Sequence, residues 1–523
     1  MAVVEFEYAE LKEGVNLTKE KMVDILNNLG APAEVVGERI VLELTPNRPD
    51  WFSKEGILRS MRAYCNGTLN EYKIRKKSGY VLNVGNVPIR QCAAWAVVRN
   101  LKFNDQKIRD IVLLQDKLNA TLGRRGKRFG IGFYPLQNIE FPIRYTLMKP
   151  EKIVYWPLNY PRVASASEIL ENHPKGKEFG HLLKGQKEYP VYVDGKDRIM
   201  CLIPIVNSAE TGKVDEKTTE VLVEVTGTHQ EAVNAALNII CCSLIDAGGG
   251  VESMELHAGK RKWDSPDLKE TKIKLDVAYA SRLLGVVFSK GEIKKLLRKM
   301  GYRVDERFVY VPPYRADVLH FVDVIEDIAI AYGYNKFEVT LPNFFSKGKV
   351  EYCYQDVHSI LRGMGFTEVK TFILSSEKRM DLVSEEKRKK VLNPCAEDFS
   401  VIRDSLLIDA IEVFERNKTT GLPQKIYEIG EVYKDNQTKT RVVFGVMSKN
   451  ITFSDFRGYL QTLLAEKGIS FELKKNKEIV FDEKECGLVV GNTCNGVLGK
   501  VSNKILRSYN VEFPIYLCEL VFV

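Results

Sequence analysis

The sequence predicts a multidomain α+β protein. Its 523 residues are too many for a single hydrophobic core, so three or four domains are expected. Segments that alternate apolar and polar residues, as strands do, are interspersed with segments whose apolar residues recur at helical spacing. Charged residues make up 28% and hydrophobic residues 45% of the chain, which is typical of a globular protein rather than a disordered one.

Charge and cysteine usage argue against several protein classes. The formal net charge of +8 is mild, and it fits either a nucleic-acid partner or no particular partner. The ten cysteines form no CxxC pair, which argues against a zinc knuckle and a disulfide framework and for reduced thiols in a cytoplasmic protein. No apolar run approaches the length needed to span a membrane, so no membrane partner is expected.

The first module is expected at residues 1–80 and mixes strands with helices. A strand-like alternation at 39–44 leads into a proline-rich turn, and Ser53 can cap the helix that follows. Within the turn, Arg48 and Asp50 are interpreted as turn architecture, an Asx-type hydrogen bond and a surface ion pair, rather than as chemical groups.

The second module is expected at 85–260 and is rich in strands. Strands are predicted at 189–193, 199–203 and 219–228, before an apolar helix from about 230 to 247. A basic, glycine-rich stretch at 123–132 lacks both the GK[ST] ending of a P-loop and the frame of a dinucleotide fingerprint. This stretch is either a phosphate contact or a solvated turn.

The third module is expected at 264–342 and is small. A helix at 277–284 and a second helix capped by Ser289 precede a predicted hairpin at 302–311. Two helices followed by a wing are the outline of many nucleic-acid-binding domains. The same outline is equally a compact packing unit, so it does not fix a function.

An acidic helix ends the third module. After two adjacent prolines, the apolar spacing predicts a helix from about 318 to 332. On it Asp323, Glu326 and Asp327 would share the face opposite the apolar one, and Asp317 lies just upstream. Four carboxylates so close together are a candidate site for Mg²⁺ or Ca²⁺. The spacing alone favours the alternative, the solvated acidic side of an amphipathic helix.

Several strings in this chain resemble one family. The string YRADVLHFVDVIEDIAIAYGYN at 314–335 resembles the signature of the phenylalanyl-tRNA synthetase beta subunit in its archaeal and eukaryotic form. The strings LTPNRPDWFSKEGILRSMRAY, HPKG, VTGT and EIGEVY occur in the same order as in that family, so the similarity covers nearly the whole chain. The resemblance implies Mg²⁺ bound at the matching carboxylates, Asp317, Asp323, Glu326 and Asp327.

The resemblance implies that the second module is an editing-like module, which would hydrolyse mischarged tRNA. An apolar pocket rejects an isostere with one added hydroxyl by only about a hundredfold, so a pocket for phenylalanine admits some tyrosine. A second site that hydrogen-bonds the phenolic hydroxyl removes the error. The candidate residues for that second site are Asn207, Thr226, Glu224 and Cys201.

Departures from the family pattern predict that this editing activity is weakened or lost. The family tends to have Ser in place of Cys201, Asp in place of Glu224, and a second proline in place of Ile203. Cysteine is a poorer hydrogen-bonding group than serine, and glutamate reaches one methylene further than aspartate.

The resemblance implies a class II synthetase-like antiparallel sheet with helices at 345–523. The arginine after a sheet strand that holds the α-phosphate is not found there, nor is a glycine-rich strand that ends in Glu-Arg. The module is therefore expected to be catalytically silent. Aminoacylation with ATP and Mg²⁺ would occur in a partner alpha subunit, within a heterotetramer of two alpha and two beta subunits that binds phenylalanine tRNA.

Two other functions remain open at the level of sequence. One is a freestanding deacylase of mischarged tRNA, which the second module favours. The other is a non-catalytic tRNA-binding scaffold, which the wing and the positive charge favour.

Overall fold

The computed structural model describes residues 2–341, 348, 354–384 and 386–522. The chain forms two compact units, Met1–Leu341 and Pro342–Val523. Both units mix helices with sheets, in agreement with the predicted α+β class. The sequence-based module boundaries within the first unit remain predictions, because one apolar core runs through all three of its modules.

The first unit begins with a small antiparallel sheet and three helices. The elements are β1 (Ala2–Glu7), α1 (Tyr8–Val15), α2 (Lys19–Asn28), β2 (Ala33–Val36), β3 (Arg39–Leu44) and α3 (Lys54–Asn66). The strand order is β1-β3-β2. Ser53 caps α3, since its Oγ accepts a hydrogen bond from the amide of Gly56 at 3.1 Å. A side chain at Gly56 would collide with the carbonyl oxygen of Asp50, so the first turn of α3 requires glycine at this position.

A ten-stranded sheet forms the middle of the first unit. Its strands are β4 (Lys77–Val84), β5 (Cys92–Arg99), β6 (Phe129–Pro135), β7 (Ile143–Met148), β10 (Tyr189–Val193), β11 (Ile199–Leu202), β12 (Val206–Asn207), β13 (Val221–Gly227), β14 (Gly250–Ala258) and β15 (Arg261–Ser265), while β8 (Val154–Tyr155) and β9 (Ala164–Ser165) pair separately. The order is β12-β11-β10-β7-β4-β14-β5-β13-β6, with β15 on β14. The strands at 189–193, 199–203 and 219–228 thus lie where they were expected, within two residues at each end.

The helices of this middle part are α4 (Asp105–Ala120), α5 (Ala166–Asn172), α6 (Pro174–Phe179), α7 (Ala209–Gly212) and α8 (Gln230–Asp246). The long apolar helix α8 packs on β5 and β13. The basic stretch at 123–132 forms a turn that leads into β6 at Phe129. Whether this turn contacts phosphate remains a prediction without a test.

The last part of the first unit has the predicted helix–helix–wing outline. Its elements are β16 (Thr271–Lys274), α9 (Val277–Leu284), α10 (Lys290–Lys299), β17 (Arg303–Val304), β18 (Phe308–Val311) and α11 (Phe321–Tyr332). Helix α11 begins three residues later than the expected 318, because the Asp323 carboxylate accepts hydrogen bonds from the amides of Leu319 and His320, both at 2.8 Å. These bonds hold the chain outside the helix and make His320 its N-cap.

The second unit is a seven-stranded sheet between two helical layers. The elements are α12 (Gln355–Gly363), β19 (Thr367–Glu368), β20 (Leu374–Ser375), α13 (Glu377–Met380), β21 (Val401–Ile402), α14 (Leu407–Arg416), β22 (Gln424–Lys434), β23 (Gln437–Met447), α15 (Phe453–Glu466), β24 (Phe471–Lys475), β25 (Phe481–Gly491), β26 (Cys494–Val501), α16 (Asn503–Ser508) and β27 (Ile515–Phe522). The order is β19-β22-β23-β27-β26-β25-β24, and every pair is antiparallel except β19 with β22.

Alternation along the central strands of the second unit divides its apolar residues between two cores. Val443 on β23 belongs to the core that includes residues of α14 and α16, whereas its neighbour Phe444 belongs to the core beside α12 and α15. The sheet is therefore covered on both faces. Helix α12 begins at Gln355, and residues 351–353 lie outside the described residues.

A buried ionic cluster joins the three parts of the first unit. Arg48 and Asp50 form a two-bonded pair, with both N–O distances at 2.9 Å. The expected surface ion pair is therefore wrong, because Arg48 is only 7% exposed and Asp50 is not exposed at all. Arg59 on α3 donates to the carboxylate of Asp246 at the end of α8, at 2.5 Å, and its guanidinium lies 3.7 Å from the ring centre of Tyr314.

Substitution Arg59→Met should destabilise the first unit strongly. It leaves the buried carboxylate of Asp246 without its cation, and loss of one partner of a buried pair typically costs about 3–5 kcal/mol. Urea unfolding followed by circular dichroism measures the change. The matched control is Arg109→Met in an exposed pair with Asp105, which should cost less than about 1 kcal/mol. Equal effects of the two substitutions would contradict a structural role for the cluster.

Candidate functional site

The editing candidates lie on one side of the ten-stranded sheet, on the adjacent strands β11 and β12 and on the more distant strand β13. Cys201 on β11 lies opposite Asn207 on β12, and on its other side Cys201 lies opposite Tyr192 on β10. Glu224 and Thr226 alternate with valines along β13. The valines face the opposite side of the sheet and belong to the core around α8. The structure therefore brings all four candidates to one side of the sheet, among the aromatic side chains of a second core.

Hydrogen bonds within the chain already engage three of these candidates. The Tyr134 hydroxyl donates to Asn207 Oδ1 at 3.1 Å. Thr226 Oγ1 donates to Glu224 Oε2 at 2.5 Å and is itself hydrogen-bonded to the hydroxyl of Tyr192. We call the three candidates and these two tyrosines the tyrosine cluster: Tyr134, Tyr192, Asn207, Glu224 and Thr226.

Burial controls the electrostatics of the tyrosine cluster. Removal of Glu224 from water raises the pKa of its carboxyl to about 7, although the Thr226 hydroxyl and the guanidinium of Arg90 act in the opposite direction. Arg90 is fixed by donating to the carbonyl oxygens of Gly126 at 3.0 Å and Thr226 at 2.8 Å. Burial likewise raises the pKa of the Cys201 thiol, so that sulfur is neutral at physiological pH.

The Glu224 side chain has a matching space at the neighbouring strand β6. Gly132 pairs with Glu224 from β6, and a Cβ atom at Gly132 would lie 2.8 Å from Glu224 Oε1. Glycine therefore makes room for the Glu224 carboxylate. Sequence reasoning did not identify Tyr134 and Tyr192 as members of the site. The sequence did offer one indication for Tyr192. If the two predicted strands that carry Tyr192 and Cys201 had been paired with each other, these two residues would have been placed side by side.

The acidic signature does not form a metal-binding group in this structure. Arg315 lies between two of the four carboxylates, with Nη2 at 2.8 Å from Asp317 and at 2.7 Å from Asp327. The Tyr302 hydroxyl also donates to Asp327 at 2.5 Å. Among residues 2–341, 348, 354–384 and 386–522, no group of three or more histidine, cysteine, aspartate or glutamate side chains is placed to hold a metal ion.

The expectation that Asp323, Glu326 and Asp327 share one exposed face is also wrong. Asp327 turns inward and is only 4% exposed, because the buried guanidinium of Arg315 requires a counter-charge there. Asp323 caps the start of α11, and only Glu326 is exposed and outside these contacts. The residues present do not fit a bound cation in this arrangement, so the Mg²⁺ assignment remains a prediction without geometric support.

In the second unit, one arginine is completely enclosed by the sheet. Arg403 donates to Glu428 at 3.0 Å, to Asp409 at 3.1 Å and to the Thr371 hydroxyl at 2.6 Å. Its Nε atom donates to the carbonyl oxygen of Glu431 at 2.9 Å. A guanidinium with no exposed surface and this set of acceptors is not available to a phosphate group.

Comparison with known proteins decides the family. Two family models match the chain, the tRNA synthetase B5 domain at residues 273–334 and the phenylalanyl tRNA synthetase beta chain CLM domain at 342–522. The phenylalanine–tRNA ligase beta subunit of Archaeoglobus fulgidus is 31% identical over 99% of this chain and 98% of its own length. The chain belongs to the phenylalanyl-tRNA synthetase beta subunit family.

Further relatives agree with this family, which confirms the resemblance and makes the chain a subunit of a ligase. The beta subunit of Methanosarcina barkeri is 33% identical over 99% of this chain and 98% of its own length. A crystal structure of an N-terminal fragment of the Pyrococcus horikoshii beta subunit matches 63% of this chain and 99% of the fragment, with a TM-score of 0.60 and 28% identity. Within the described residues, every helix is too short or too polar to cross a membrane.

The free energy of unfolding of the Glu224→Gln variant, relative to wild type, should increase as the pH rises. Because the folded pKa of about 7 lies above the ordinary value of 4.5, the folded chain keeps a proton that the unfolded chain loses, and the free energy of unfolding falls between these two pH values. The glutamine variant carries no such proton. Its advantage over wild type should grow by up to about 3 kcal/mol between pH 5 and pH 8 in urea unfolding.

The control for this experiment is Glu188→Gln, at an exposed loop position, which should show no growing difference. A pH-independent difference for Glu224→Gln would contradict the raised pKa.

Proposed function

We propose that this chain supports ATP-dependent attachment of phenylalanine to tRNA without an aminoacylation site of its own. Arg403 is the observation that carries the proposal. Arg403, which directly follows β21 in the second unit, has no exposed surface, and its donors serve Glu428, Asp409 and Thr371 instead of a nucleotide. Activation and transfer then belong to an alpha subunit, in a heterotetramer of two alpha and two beta subunits that binds phenylalanine tRNA.

We propose that the Mg²⁺ of this reaction is bound with ATP in the alpha subunit rather than on the acidic helix. Arg315 already neutralises Asp317 and Asp327, and a cation at these oxygens would have to displace its guanidinium. The signature residues of this chain thus act by connecting α11 to the wing, through Tyr302 and Arg315.

Editing of tyrosyl-tRNA by the second module is proposed to be weakened. The carboxyl of Glu224 and the thiol of Cys201 are buried, and the amide of Asn207 is hydrogen-bonded to Tyr134. Groups in these contacts are poorly placed to bind a substrate or to position a water on an ester. A freestanding deacylase is the less favoured alternative for the same reason. A tRNA-binding scaffold is supported only by the net charge of +8 and the wing.

Phenylalanine-dependent exchange of pyrophosphate into ATP tests this division of labour. The chain alone should give no exchange, and the chain co-expressed with an alpha subunit should give exchange, because the ATP site is proposed to lie in the partner. The alpha subunit alone is the control.

Exchange by the isolated chain would contradict the proposal and would reveal an ATP site in the second unit. A stable complex without exchange would also contradict it. In that case, hydrolysis of charged tRNA by the isolated chain would favour the deacylase, and tRNA binding alone would favour the scaffold.

A further inference from the structure

We propose that Tyr192 permanently fills the amino-acid pocket of the editing-like module, so that the module does not admit a tyrosyl ester. This inference rests on the proposed function, since it concerns the same pocket. The residues expected to receive the phenolic hydroxyl of a substrate are Thr226 and Asn207, together with the carboxyl of Glu224. Each takes part instead in hydrogen bonds that lead to a phenol of the chain itself.

The surroundings of Tyr192 have the features of a phenol-binding site. Its hydroxyl is bonded to Thr226 Oγ1 and accepts from the Trp95 indole N–H at 3.3 Å. Its ring meets Trp95 edge-on, with centroids 4.6 Å apart, and lies 4.8 Å from the ring of Tyr145. Aromatic walls and a polar end are the combination that recognises a phenol.

Tyr134 engages the second hydrogen-bonding group in the same way. Its ring lies parallel to Trp95, with centroids 6.3 Å apart, and its hydroxyl donates to Asn207. Both Tyr134 and Tyr192 are completely buried. A tyrosyl group that entered from solvent would therefore find neither space nor an unoccupied hydrogen-bonding group.

The position of Tyr192 in the sheet makes it a fixed occupant rather than a movable lid. It lies on β10, between β7 and β11, and pairs with Tyr145 on one side and Cys201 on the other. Withdrawal of its ring would break the contacts with Trp95 and Tyr145 and the hydrogen bond to Thr226, and the close-packed interior offers the ring no other position. Substitution of this one residue should instead leave a cavity of the shape of a phenol, with the Thr226 hydroxyl at its end.

Binding of phenol to the full chain tests the proposal. Phenol at millimolar concentration should raise the thermal midpoint of Tyr192→Ala by a few degrees, and it should not change wild type or Tyr192→Phe, in which the ring remains. Toluene should give a smaller shift than phenol, because it has no hydroxyl. Adding Thr226→Val to Tyr192→Ala should reduce the phenol shift to that of toluene, which assigns the hydroxyl contact.

Several outcomes would overturn the proposal. A folded Tyr192→Ala variant that does not respond to phenol would show that no pocket lies behind the side chain. An equal response of wild type would show that phenol binds elsewhere or that the pocket is open. If Tyr192→Ala fails to fold, recovery of soluble, folded chain in phenol but not in toluene supports the proposal, and no recovery in phenol counts against it.

These measurements need neither tRNA nor an alpha subunit. Failure of phenol binding would therefore leave the proposed role in the ligase untouched, and failure of pyrophosphate exchange would leave the phenol result untouched.

Discussion

A guanidinium that water cannot reach must be surrounded by anions and aromatic rings, and the first unit is assembled around this constraint at Arg59. Its partners come from three separate parts of the chain. They are Asp50 in the proline-rich turn, Asp246 at the end of α8, and Tyr314 shortly before α11. Burial opposes the ionisation of Asp50, but Arg48, Arg59 and Arg315 together outweigh burial, so the pKa of Asp50 lies below its ordinary value. The cluster holds these parts in one unit because removal of any charged member leaves an uncompensated buried charge.

Local features were predictable from the sequence, because they depend on residues close together in the chain. Ser53 and Ser289 cap the helices that they were expected to cap, and the strands at 189–193 and 199–203 were found by alternation. The burial of Asp50 was not predictable, because the residues that enclose its partner Arg59, Asp246 and Tyr314, are distant in sequence and meet it only in the folded chain. The inward turn of Asp327 likewise depends on Arg315, whose position is set by tertiary packing rather than by helical spacing.

The sequence identified which residues form the candidate site, but it did not show that other side chains of the chain already occupy their hydrogen-bonding groups. Similarity to the family pointed to Cys201, Asn207, Glu224 and Thr226, and the structure places them on one side of the sheet. Tyr134 and Tyr192 belong to strands that carry no such motif, and their hydroxyls reach these residues across strands that are not paired with each other, so only the tertiary fold brings them together. Arg315 and Arg403 are comparable, since each guanidinium is bound to carboxylates of the chain rather than free to bind a ligand. These contacts support the proposal that this subunit contributes assembly and binding surfaces, while the chemistry belongs to its partner.

Hydrolysis of tyrosine-charged phenylalanine tRNA by the assembled ligase tests most directly the claim that this chain lacks effective chemistry of its own. The account predicts hydrolysis close to the spontaneous rate of the ester, and no further decrease upon Asn207→Ala, because the pocket is already filled. Rapid hydrolysis by the wild-type complex that Asn207→Ala abolishes would contradict the account, since it would require an open and functional editing site.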